Sequence, residues 1–391
     1  MSYKHLFSKC LSAHTATLHV AAHSHHAWPD CTLDAQTQCW TDATTMLDDK
    51  WGHIFGTILP DAQRGIAKTL NLSDHTTISF APNTHDFLVR IFSCFAELKR
   101  PVRILASDSE FHSFSRQAKR WVEMGQAEVH TVPTHPIETF NERFIDAAHK
   151  TAPDFIYLSH VFFNSGAVVQ NLAGLVLALP PEPVVAIDGY HGFMALPTDL
   201  RQIEKRAFYL SGGYKYAMAG EGVCFMHCPQ GWLPRPVDTG WYAGFGALEK
   251  AQDGRVPYGE DGSRFMGATF DPVGLYRMRA VFEMLEAEKL DVKAIHAHVQ
   301  ELQQYFMQCL KAAPNAPINA NQLVPALGSP DRGHFLTFET SNAGKIYDEL
   351  HAQGVVTDYR ANRLRFGFGI YHEKADIDKL FGILGQLTLA A

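Results

Sequence analysis

The feature that most constrains this chain is a series of seven short apolar runs set between helical patterns. They fall at Thr77–Phe80, Val102–Ala106, Glu128–Val132, Phe155–Ser159, Val184–Asp188, Ala207–Leu210 and Val223–His227. Several, such as Val184-Val185-Ala186-Ile187, are apolar at every position rather than at every second one. A strand has that composition when both its faces are covered. Strands separated by helices need crossover connections, so the sheet is expected to be largely parallel, with right-handed connections. At 391 residues the chain exceeds one simple core and suits two domains around a shared cleft.

Residues 229–272 are rich in Gly, Pro and aromatics and read as loops. Beyond them Leu275, Met278, Val281, Phe282 and Leu285 repeat at helical spacing, as do Ile295, Val299, Leu302 and Phe306. A strand at His334–Glu339, a helix near Ala343–Gln353, a strand at Leu364–Phe368 and a helix from Ala375 complete a smaller α+β unit. The expected division is an amino-terminal segment over 1–45, a large domain over 46–272 and a small one over 273–391.

Charge narrows the function classes. The net charge of −7 comes without any block of like sign, which argues against a nucleic-acid partner or an anionic membrane surface. No apolar run approaches the roughly 20 residues that cross a bilayer, and MSYKHLFSKC lacks the apolar stretch of a signal peptide. Seven cysteines at irregular spacings favour reduced thiols over a disulfide framework, and hence a cytoplasmic location.

The chemistry is concentrated in two segments. PVVAIDGYHG (183–192) ends an apolar strand on Asp188, and ligands of open parallel sheets bind at the carboxyl ends of strands. AFYLSGGYKYAMAGEG (207–222) places Lys215 after a strand and two glycines. Taken singly, such an Asp is often a helix cap and such a Lys a solvated loop residue. Together and in this order they match what pyridoxal 5'-phosphate (PLP) requires: a lysine for the Schiff base and a carboxylate for the pyridinium nitrogen.

These segments resemble kynureninase, of the class V aminotransferase family with the type I fold of PLP-dependent transferases. Asp188 and His191 fit the family's D-x-x-H pattern, Asp199-Leu200 its following D-L, and Tyr214-Lys215-Tyr216 its Tyr-Lys-Tyr. The resemblance runs from about residue 75 to 385. It implies that Tyr214, Asn83 and Thr84 meet the cofactor phosphate and that Phe111 lies against the pyridine ring. It also implies that Thr269 reaches the phosphate of a partner subunit in a homodimer. Trp241, in DTGWYAG, would line the substrate site. Arg365, in RLRFGFGIY, would clamp the α-carboxylate of an amino-acid substrate, with Arg363 and Arg360 as rivals. Asn83 equally suits an ordinary helix cap, and Phe111 an ordinary core position.

The chain departs from that family at several points. Phe114 stands where kynureninases carry an acid, Phe162-Phe163-Asn164-Ser165-Gly166 replaces a polar segment, and Ala22-His23-Ser24-His25-His26 replaces G-N-S-L-G. The resemblance implies a hydrolase that cleaves the Cβ–Cγ bond of an arylketo amino acid; a class V transaminase is the alternative. Cysteine desulfurase chemistry fits less well, since Cys224 and Cys228 read as core. Outside this class, His19, His23, His25 and His26 could build a metal site. Otherwise the segment enters the mouth of the active site.

Overall fold

All seven runs become strands of one sheet in the computed structural model, which describes residues 2–247, 254–326 and 332–387. The strands are β1 (Ile78–Ala81), β2 (Val102–Ser107), β3 (Ala127–Val132), β4 (Phe155–Ser159), β5 (Val184–Asp188), β6 (Ala207–Gly212) and β7 (Cys224–His227). Their order across the sheet is β1-β7-β6-β5-β4-β2-β3. β7 is antiparallel to both its neighbours; the other pairs are parallel. Strand ends shift by a residue or two from expectation. Thr77, for example, belongs to a 3-10 turn capped by Asp74 rather than to β1.

Alternate residues of each strand serve opposite layers. Val185 and Ile187 pack with Leu158, Tyr209 and Phe225 beneath helices that include Leu59–Leu70 and Phe140–Thr151. Val184 and Ala186 pack on the other side with Phe155, Phe208 and Leu210. That second layer is roofed by α1 (Thr84–Ser93) and α2 (His112–Glu123). α2 is amphipathic: Phe114, Ala118 and Trp121 are buried at helical spacing, while Arg116, Lys119 and Arg120 face solvent. The continuous apolar content of inner strands such as Val184–Asp188 is thus the consequence of two covered faces.

A second, antiparallel sheet contains β8 (Leu323–Val324), β9 (Phe335–Glu339), β10 (Asp358–Arg360) and β11 (Arg363–Gly367), in the order β10-β11-β9-β8. Helices Val292–Ala312, Ala343–Ala352 and Lys374–Leu384 cover it through Phe306, Leu350 and Leu380. Leu18 and Val20 from the amino-terminal segment share that core. Leu18–His19 pairs in parallel with Val355–Val356, and Ala21 bridges to Gly367. Further on, helix Cys31–Met46 packs along helix Val273–Ala287, where Tyr276 donates to Asp42 at 2.8 Å. Among the described residues no helix is long and apolar enough to cross a membrane.

Candidate active site

Four chain segments leaving the same edge of the large sheet converge on one cavity of about 480 Å³. β1 leads to Asn83 and Thr84, β2 to Phe111, β5 to Asp188 and His191, and β6 to Tyr214 and Lys215; all seven side chains line the cavity. Ser159, Phe163, Tyr190 and Cys224 complete much of the wall. A larger groove of about 1060 Å³ elsewhere shares no residue with it, and several of its charges pair, Arg279 with Asp61 and Lys68 with Glu286.

Asp188 is buried at the end of β5. Its Oδ1 accepts from the Tyr190 amide at 3.0 Å and its Oδ2 from the Tyr157 hydroxyl at 2.9 Å. Burial raises its pKa, against those hydrogen bonds. The next residue has to be Gly189, because a Cβ there would lie 2.0 Å from the Tyr209 ring.

Lys215 is buried too, with Nζ 2.8 Å from His191 Nε2. Its amine lies 4.8 Å from the ring centroid of Tyr190 and 5.4 Å from that of Phe111. Desolvation pulls its pKa down to about 7, although Asp188 acts the other way. His191 is driven well below the usual imidazole value, first by burial and then by Lys215, so it is neutral and accepts from the amine.

These residues fit pyridoxal phosphate. An amine that is partly unprotonated at neutral pH can attack an aldehyde, and a buried carboxylate suits a protonated ring nitrogen. Asn83 caps α1, its Oδ1 accepting from the Asp86 amide at 2.9 Å. The first amides of that helix, free of intrahelical partners, suit a phosphate. Phe111 supplies an aromatic wall, set at 90° to Phe163 with centroids 5.3 Å apart. Tyr214 stands between Tyr190 (4.9 Å) and His25 (5.2 Å).

Other expected site residues lie apart from the cavity. Trp241 is 45% exposed and stacks on Tyr242 at 4.3 Å, outside the cavity of its own chain. A glycine–tryptophan segment marks a special loop but not where that loop points. Thr269 is exposed and likewise outside the cavity of its own chain. Arg365 is 3% exposed and stands behind the Phe163 wall, donating from Nη1 to the Phe163 carbonyl. Arg363 instead donates to the Asn164 carbonyl at 3.2 Å and faces Glu339, and Arg360 is exposed.

The histidine-rich segment does not form a metal site. Among the described residues no group of three or more His, Cys, Asp and Glu side chains is arranged to hold an ion. His19 bonds to the Tyr371 hydroxyl, His23 to Asp358 and His26 to the carbonyl of Ala27, while His25 stacks on Tyr214. The rings are each taken up by separate partners.

Two features escaped the sequence. Phe114, where an acid was missing, stacks flat on Tyr157 at 4.2 Å and so backs the hydroxyl that meets Asp188. Next to Phe111, Glu110 is fully buried and accepts from the Ser107 and Ser159 hydroxyls, each at 2.5 Å. Burial lifts its pKa to about 7. Its only signal was an acid just past a strand end. Cys224 lines the cavity, yet burial pushes its thiol up to about 12, far from a reactive thiolate.

The family model for aminotransferase class-V matches residues 28–334, and the model for the kynureninase C-terminal domain matches 295–384. No curated protein sequence matches the chain. Among solved structures it resembles a C-DES mutant with glycine covalently linked to the PLP cofactor. There the TM-score is 0.82 and the identity 16%, over 99% of this chain and 100% of the other. It also resembles the cysteine desulfurase CsdA from Escherichia coli (TM-score 0.76, 16% identity, 96% of each chain). For the apo cysteine desulfurase from Thermococcus onnurineus NA1 the values are 0.78 and 12%, over 99% of each chain. At these identities the likeness is one of fold.

Proposed function

Because the chain belongs to the class V aminotransferase family, with its type I fold and pyridoxal phosphate cofactor, we propose that it is a kynureninase-like hydrolase. Its substrate is an arylketo amino acid, cleaved at the Cβ–Cγ bond. The observation that carries this assignment is an aromatic-walled cavity, lined by Phe111, Phe163, Tyr190 and Tyr214, with the Arg365 guanidinium directly behind one wall. Flat apolar walls suit an aryl side chain, and a guanidinium suits a carboxylate. The match to the kynureninase C-terminal domain covers the stretch that contains Arg365.

When bound, pyridoxal phosphate supplies an electron sink for the pair released at the substrate α-carbon. The chain's own residues do the rest. Lys215 holds the cofactor and then moves the α-proton; a pKa of about 7 lets it both take and return that proton at neutral pH. His191 orients the amine, and Asp188 keeps a proton on the ring nitrogen. Asn83, Thr84 and Tyr214 hold the phosphate, and Arg365 fixes the α-carboxylate.

Transamination is the second reading. Phe114 beneath Tyr157 leaves no acid where kynureninases carry one, so handling of the γ-carbonyl has one group fewer. Incubation of holoenzyme with L-kynurenine separates the two. Release of alanine supports the hydrolase, whereas inert kynurenine together with keto acids that reconvert the amino form of the cofactor supports the transaminase.

Residues 46–272 serve in this proposal as the cofactor-holding domain and 273–391 as the one that presents Arg365. Two copies pair, with exposed Thr269 reaching the partner's phosphate and the exposed rings of Trp241 and Phe245 offering an apolar contact. The seven free cysteines support a cytoplasmic location.

A further inference from the structure

Given the role of Arg365 in the proposed hydrolase, we propose that Asp358 and His23 are positioning residues for it, so that the amino-terminal segment helps to build the substrate-carboxylate site. Asp358 and Arg365 are direct cross-strand partners on β10 and β11. Arg365 Nε donates to Asp358 Oδ1 at 2.8 Å, and its Nη2 donates to Oδ2. With Nη1 on the Phe163 carbonyl, three N–H groups are taken and one is left on each of Nη1 and Nη2. A guanidinium gripped on one edge by a carboxylate keeps a fixed plane, and that plane decides whether a second carboxylate meets the remaining donors in line.

Asp358 is itself held. His23 Nε2 donates to the same Oδ1 at 2.9 Å. The His23 ring stacks on Phe335 with centroids 4.8 Å apart, and the Arg365 guanidinium carbon lies 5.7 Å from the same ring. The fit is close: a Cβ on Gly367 would fall 2.1 Å from His23 Nδ1. Nδ1 is buried without a partner, so protonation there would leave a buried N–H unsatisfied. The neutral ring therefore acts as a fixed donor to Asp358. Backbone bonds secure it in place, from the Gly367 amide to the Val20 carbonyl at 2.7 Å and from Ala22 to Gly367 at 3.3 Å. A buried Asp–Arg pair contributes little net stability, whereas fixed geometry is what such a pair supplies well.

The test titrates holoenzyme with L-kynurenine and with kynuramine, its decarboxylated counterpart, reading the cofactor absorption band. If neither alters the wild-type spectrum, L-phenylalanine and 2-phenylethylamine replace them. Arg365→Ala should erase the preference for the amino acid over the amine. Asp358→Asn and His23→Phe, the latter keeping the stack on Phe335, should each weaken amino-acid binding by about tenfold or more and leave amine binding unchanged. His23→Gln, which keeps a donor, should restore most of the loss. The expected kinetic split is a raised KM with kcat nearly intact. Asp358→Glu serves if Asp358→Asn fails to fold, since it keeps the charge but displaces it by one methylene. If Arg365→Ala keeps the preference, the role of Arg365 itself is wrong. If Arg365→Ala loses it while the Asp358 and His23 variants bind as wild type, only the positioning roles are overturned.

Discussion

Lys215 Nζ and His191 Nε2 stand 2.8 Å apart in a buried pocket, where burial brings the amine down to about 7 and burial together with Lys215 keeps the imidazole neutral. Borohydride treatment of holoenzyme should therefore fix the cofactor to Lys215. Peptide mapping by mass spectrometry checks this, and modification of another lysine would show that the amine has been misassigned.

Asp188→Asn should leave melting behaviour and cofactor retention close to wild type while turnover drops by about 10²-fold or more, because the near-isosteric amide cannot hold the ring-nitrogen proton. Tyr157→Phe, which removes one hydrogen bond to Asp188, should cost less. Turnover in Asp188→Asn near the wild-type level would mean that another acid fills the role.

Buried histidines set the acid limit of stability. Burial lowers His19 to about 3 and His23, His26 and His160 to about 4. In the unfolded chain the same rings titrate near 6.5. Between about pH 6.5 and 4 the unfolded state binds more protons, so stability is full above that window and falls on acidification. Each such ring contributes up to about 1.4 kcal/mol per pH unit. The thermal midpoint of the apoprotein should fall steeply from pH 7 to pH 5. A flat profile would contradict the burial of these rings.

Gly367→Ala should destabilise by about 1–3 kcal/mol, since the new methyl meets the His23 ring. Denaturant melts measure the loss. His23→Ala in the same background should recover part of it, because the obstructing ring is gone; absence of recovery would place the strain elsewhere.

Sedimentation should show a dimer, and mixing Lys215→Ala with a Thr269 variant should regenerate sites if Thr269 serves the partner's phosphate. A monomer with full activity would end that proposal.

The large sheet was legible because its inner strands, such as Phe155–Ser159 and Val184–Asp188, are buried on both faces and so write nearly unbroken apolar runs; the edge strand Ala127–Val132, half exposed, was marked more weakly. The short strands were not: β8, β10 and the pair Leu18–His19 with Val355–Val356 span two or three residues, and their partners are distant in sequence. Asp188 and Lys215 stood out through their position after strands, a local signal. Glu110 did not, since SDSEFHSF is polar and nothing in it announces a buried acid. The pairing of Asp358 with Arg365 depends on strand register, which spacing alone leaves open. The place of Trp241 was not legible for the converse reason: a distinctive local segment says little about which way a loop leaves the sheet.

Residues 18–20 lean on a unit assembled from the far side of the sequence. Leu18 and Val20 fill a core whose remaining members lie between residues 299 and 384, and their backbone partners wait at 354–367. On the ribosome the large sheet has all its strands by residue 227, well before those partners emerge. Residues 18–20, made before the sheet, are thus among the last to settle. An amino-terminal truncation reaching Val20 should loosen the carboxyl-terminal unit rather than the amino-terminal one.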